Sequence, residues 1–201
     1  MRLLALMLLA AGVGPAETFT YWIQPCGKEP EAECQSLDER LAQWAMEDWE
    51  RASGGGLSLK RGPLGSARIR LYWASSRHPG LYGEARGIEV GGQRGAEIHI
   101  RPSLKALGEA VESLGDKDPL FRHAIIYLTC LHEIGHALGM PHTRSFADIM
   151  YSFEHGGDIL EYFQRYRRKL ESIDDIRQVS GVSQQEALRL LGMYKAKAVV
   201  R

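Results

Sequence analysis

No sign of charge predominates in this 201-residue chain, because lysine plus arginine and aspartate plus glutamate each total 25. That balance, with no long block of like charge, gives no electrostatic footprint for nucleic acid or for an anionic membrane surface. Long hydrophobic runs are also missing. The one apolar stretch, Leu3 to about Val13, is too short for a membrane-spanning helix, and no later stretch is long enough. Cysteine is scarce, at three residues, and histidine is limited to seven. What remains is an ordinary globular composition, 44% apolar and 25% charged, long enough for one domain with a proper core.

The N-terminus differs from the rest. Arg2 precedes the apolar run, and Gly14 and Ala16 supply small residues ahead of Glu17. The pattern reads as a secretory signal peptide over residues 1–16, with an uncleaved anchor as the alternative. No cysteine follows where a lipid anchor would need one. The mature chain is expected to begin near Glu17, secreted or periplasmic, without stable membrane insertion. Export permits disulfides. Cys26 and Cys34 share a polar loop and are expected to pair, contributing about 2.5 kcal/mol in the chain-entropy treatment. Cys130 lies in a helical pattern and reads as a small buried side chain.

Residues 18–23 alternate Phe19, Tyr21 and Ile23 with Thr18, Thr20 and Trp22, a strand pattern. Ser36 and Glu39 have the spacing of a capping box, followed by a helical face of Leu37, Leu41, Trp44, Ala45, Trp49 and Ala52 that the glycines at 54–56 end. A second strand is expected over 67–73. Short strand pieces follow around 82–86 and 87–90, and another strand over 96–101. Asp118–Pro119 opens a helix that is apolar around most of its girth and ends at Gly139. About eighteen irregular residues come next, a length that is usually functional. Two amphipathic helices close the chain. One has Phe163, Tyr166 and Leu170 inside and Arg165, Arg167, Arg168 and Lys169 outside. The other starts with the capping box Ser183–Glu186 and packs with Ala187, Leu188, Leu191 and Tyr194.

Three of the seven histidines fall in HEIGHALGMPH, residues 132–142. His132 and His136 are one helical turn apart on one face, where two imidazoles can share one metal ion. Glu133 is rotated away from that face and can address a water without ligating. Zinc favours nitrogen donors, and catalytic sites use three protein ligands with a fourth position open. Gly139 can adopt the left-handed conformation that turns the chain back, which places His142 as the third ligand. H-E-x-x-H alone arises by chance in roughly two per cent of chains with these residue frequencies. Adding Gly139 and His142 lowers that to the order of one in ten thousand, so the five positions are read as one site.

These five residues resemble the extended zinc signature H-E-x-x-H-x-x-G-x-x-H of the metzincin peptidases. Met150 stands where that family places its Met-turn, and Tyr151 directly after it makes the matrixin branch the most similar. The resemblance implies an α+β fold: a metzincin-like catalytic domain with a twisted mixed β-sheet, long helices and an active-site helix ending in a Met-turn. It implies one domain over 17–201, with an added helical segment at about 157–180. A cleft would separate a regular N-terminal half from an irregular C-terminal one. By the same resemblance His132, His136 and His142 hold one catalytic zinc and Glu133 is the general base for the attacking water. Met150 floors the metal, and Tyr151, Ser152 and Phe153 border the pocket for the residue after the cleaved bond. The strand 96–101 would pair with an extended substrate.

Departures from that pattern are also legible. QPCGKEP around Cys26 invites comparison with a matrixin pro-segment, but Pro25 replaces the usual arginine and Cys34 is near. Residues 74–101 contain no aspartate, so calcium and structural zinc are not supported, and His78, His99, His123 and His155 are read as structural. The expected activity is that of a secreted, monomeric zinc endopeptidase acting on peptides or proteins. Its rivals are a non-catalytic zinc-containing peptide-binding module and a hydrolase of cell-wall peptide amides.

Overall fold

The computed structural model describes residues 16–75 and 82–199. The expected signal peptide lies outside them apart from Ala16, and His78 is outside as well. The elements run β1 (Glu17–Ile23), α1 (Asp38–Ala52), β2 (Leu57–Arg61), β3 (Ile69–Trp73), β4 (Gly83–Val90), β5 (Gln93–Ile100), α2 (Glu109–Lys117), α3 (Pro119–Leu138), α4 (Ile159–Arg167), α5 (Asp175–Gln178) and α6 (Gln184–Val199).

The sheet has the order β2-β1-β3-β5-β4. Its first four members are parallel and β4 is antiparallel to β5. Parallel neighbours need a crossover, and α1 supplies it between β1 and β2. The β4–β5 hairpin needs only Gly91 and Gly92, both at positive φ as a tight primed turn requires. Phe19, Tyr21 and Ile23 of β1, Ile69, Leu71 and Trp73 of β3, and Ile98 and Ile100 of β5 all turn into the core. Against that face lie α1 and the almost wholly buried α3. The indole of Trp49 on α1 donates to Leu131 O at 2.7 Å and ties the two helices. No helix among the described residues is long and apolar enough to cross a membrane.

Several expectations change. The box at Ser36 and Glu39 does not form, and α1 starts without a side-chain cap. Glu39 instead accepts from Cys26 N at 2.8 Å, because the Cys26–Cys34 disulfide folds its loop over the helix start. Asp38 is fully buried and holds both guanidinium nitrogens of Arg122, at 2.8 and 2.9 Å. β2 and α2 were not expected, and the two pieces over 82–90 are one strand.

The basic face of α4 is not simply solvated. Arg165 stacks 4.2 Å from the Tyr162 ring and donates to Phe146 O, while Arg167 pairs with Asp118 at 2.8 Å. On α6, Leu190 is buried and Leu188 is 60% exposed. The buried carboxylate of Glu186 sets that helix's phase, so the inward positions are 186, 190 and 194. Cys130 is buried with a free thiol, as expected.

Candidate active site

The side chain of Asp118 caps α3 by accepting from Phe121 N, and Pro119 follows at the first position. The helix therefore enters in a fixed phase and carries His132 and His136 on one face. Gly139, at φ +95°, ends it. Its own N–H reaches His136 O at 2.9 Å and the N–H of Met140 reaches Gly135 O at 2.9 Å, a left-handed helix stop. The chain turns back through Pro141 to His142.

His142 Nε2 then lies 3.0 Å from His136 Nε2 and 3.3 Å from His132 Nε2. All three ligand atoms fall within 4.8 Å of one another. Zn–N bonds of about 2.0–2.1 Å in tetrahedral array give N···N edges of about 3.3 Å, so the spacing fits zinc. Among the described residues no other group of three or more metal-ligating side chains converges in this way.

Each helical histidine has its second nitrogen occupied. His132 Nδ1 faces Ile149 O at 2.6 Å, and His136 Nδ1 faces Met140 O at 3.0 Å. A carbonyl can only accept, so each Nδ1 carries the proton and each Nε2 presents its lone pair to the centre. Burial lowers the proton affinity of both rings, bringing His132 down to about 4. Neutral imidazole is the ligating form.

Glu133 turns toward the sheet. Its carboxylate lies against Gly83, where β4 begins, so closely that a Cβ there would stand 2.7 Å from Oε1. Burial pushes the carboxyl up to about 8, with Glu84 adding a smaller push. A cation beside it would draw the value back down.

Met150 is fully buried beneath the helix, and its sulfur fills the space a side chain at residue 135 would need. Gly135 is therefore obligatory between the two histidines. A mid-helix glycine costs about 1 kcal/mol relative to alanine, which was a readable sign that something packs there. The segment returns to itself: Thr143 N donates to Met150 O at 2.8 Å and Ser152 N to Thr143 O at 3.2 Å. Tyr151, Ser152 and Phe153 follow directly. Tyr151 is buried, with its hydroxyl on Gly156 O at 2.8 Å, and Ser152 is buried as well. Phe153 is the one exposed member, at 37%.

The strand 96–101 does not offer an edge. It corresponds to β5, which is paired on both sides by β3 and β4, because the glycine turn at 91–92 returns the chain outside it. The outer strand on this side of the sheet is β4. His99 stacks on Tyr72 at 5.2 Å, and neither it nor His123 nor His155 joins the triad. Sequence reasoning missed Gly83, Gly135 and Glu186. The last was legible as a helix cap, but not as a ligand of the Met150 backbone.

One comparison with known proteins, against family models, agrees with this geometry. A family model described as matrixin matches residues 16–179. No curated protein matches the chain. A solved structure, archaemetzincin from Methanopyrus kandleri, is similar at 13% identity with a TM-score of 0.41, over 95% of this chain and 99% of that one. With most of its length matched by the family model and a three-histidine centre that fits the metal, the chain belongs to the matrixin family of zinc metallopeptidases.

Proposed function

We propose that the chain is an exported, monomeric endopeptidase with one zinc ion held by His132, His136 and His142 and with Glu133 as general base. The observation that carries this reading is the convergence of three imidazole nitrogens, two of them on rings whose Nδ1 faces a backbone carbonyl, beside a buried carboxylate outside the triad. A zinc ion in that position supplies Lewis acidity, polarising a carbonyl and activating water near neutral pH. Glu133 takes the proton of the attacking water and delivers it to the departing amide nitrogen. β4, the outermost strand on its side of the sheet among the described residues, starts against Glu133 and suits an extended substrate added as a further strand, which favours internal bonds over chain ends. Phe153, with Tyr151 and Ser152 behind it, borders the position after the cleaved bond. Export is supported by the residue pattern at 1–16 and by the Cys26–Cys34 disulfide. On this reading, residues 17–201 form one catalytic unit.

The test combines metal analysis of the purified mature protein with a peptide-library digest, run with and without a chelator. One zinc per chain and chelator-sensitive internal cleavage are expected. Glu133→Gln should keep the metal and lower kcat/KM by roughly 10²–10⁴-fold. Stoichiometric zinc without cleavage of any denatured protein would sink the reading.

A further inference from the structure

Glu186 is fully buried, yet it sits in the first turn of α6, where a helix-capping carboxylate could equally face solvent. It completes the capping box: Ser183 N donates to its Oε2 at 2.9 Å and its own N–H donates to Ser183 Oγ at 3.2 Å. Its other contacts have no role in the helix. Ile149 N donates to Oε2 at 3.0 Å and Met150 N to Oε1 at 2.8 Å, more than thirty residues away. Three backbone donors on one buried carboxylate leave the 149–150 peptides little freedom to rotate.

The far side of the same peptide faces the metal centre. Ile149 O accepts from His132 Nδ1 at 2.6 Å, the shortest hydrogen bond any of the three histidines makes to the backbone. The hydroxyl of Tyr162 on α4 reaches the same oxygen at 3.2 Å and Asp148 O at 2.9 Å. Arg165 stacks on the Tyr162 ring and bonds Phe146 O, which fixes that tyrosine in turn. A continuous polar path thus runs from α6, through one peptide unit, to an imidazole whose Nε2 points at the centre.

We propose that Glu186, with Tyr162 as a second buttress, is a positioning residue for the zinc site: it fixes the Ile149 carbonyl and, through it, the tautomer and ring orientation of His132. This rests on the reading of the three histidines as zinc ligands. Outer partners of ligating histidines commonly change metal affinity by about 10–100-fold when removed. Both carboxylate oxygens accept here. An amide at this position would have to aim an NH₂ at a backbone N–H, so glutamine is a disruptive replacement of equal size.

The experiment is zinc competition against a chromophoric chelator, with circular dichroism to confirm that each variant is folded at the temperature used. Glu186→Gln should weaken zinc binding about 10–100-fold, Glu186→Asp should fall between it and the wild type, and Tyr162→Phe should weaken binding by a few-fold. Leu190→Ala, on the same helix and buried but without polar contact to the loop, should lower Tm and leave zinc affinity within about twofold of the wild type. Zinc affinity unchanged in folded Glu186→Asp and Tyr162→Phe, or reduced equally by Leu190→Ala, overturns the proposal. If Glu186→Gln does not fold, the aspartate and phenylalanine variants decide alone. A wild type that takes up no zinc at all removes the proposed function, and this inference with it.

Discussion

The two sides of the zinc site are built in different ways. On one side, the described residues of 17–138, strands and helices bury apolar side chains at regular intervals, and the backbone pairs largely along the helices and the sheet. On the other, residues 139–183, the chain is mostly irregular. It is held by side chains that bond its backbone at long sequence separation: Glu186 on the amides of Ile149 and Met150, Tyr162 on the carbonyls of Asp148 and Ile149, Arg165 on the carbonyl of Phe146. The first side is stabilised mainly by area removed from water, the second by a limited set of directed bonds. Damage to the first should therefore be global, and damage to the second local.

Trp49→Ala is the most severe way to break that contrast. The indole is fully buried and also donates to Leu131 O, so a loss of about 3–5 kcal/mol is expected. Denaturant melts followed by two probes should fall together. Gly139→Ala acts at the junction. It forces a side chain into positive φ, with its Cβ 3.0 Å from Arg94 Nη1. Strain of about 1–3 kcal/mol should appear as a lower Tm and a displaced His142, read as faster zinc release.

Ser183→Ala sharpens the comparison from the other side. It removes the cap of α6 and the 2.8 Å bond to Asp148, at about 1 kcal/mol. Hydrogen exchange should quicken at Ile149 and Met150 while the amides of β3 and β5 keep their protection. The smallest effect belongs to His123, whose pKa is lowered first by burial and then by Arg122. The unfolded imidazole takes a proton near 6.5, where the folded one still resists it. Stability is thus full above about 6.5 and is lost as pH falls through the lower folded value. In chelator, the wild type should lose stability below that point more steeply than His123→Gln does.

How far the amino-acid sequence announced all this follows the same division. The alternation in β1, β3 and β5, the Asp118–Pro119 start of α3 and its stop at Gly139 were readable because each depends on neighbours a few residues apart. So was the grouping of three histidines, since the helix and its glycine turn place them together locally. Glu39, Arg165 and Arg167 were misjudged because their partners, Cys26, Phe146 and Asp118, lie between 13 and 49 residues away, and periodicity carries no information about those. β5 was taken as an edge for a related reason, since which hairpin arm lies outermost is a tertiary fact. α2 hid behind Gly115, which sits inside the helix where Leu104 packs.

Gly135 carries a last consequence. Because Met150 and the Trp49 ring occupy the place where its side chain would be, positions 49, 135 and 150 share a single fixed volume, contributed by three separate stretches of chain. Any enlargement at one must be met by a reduction at another, so productive replacements there should arise as matched pairs and single changes should be poorly tolerated.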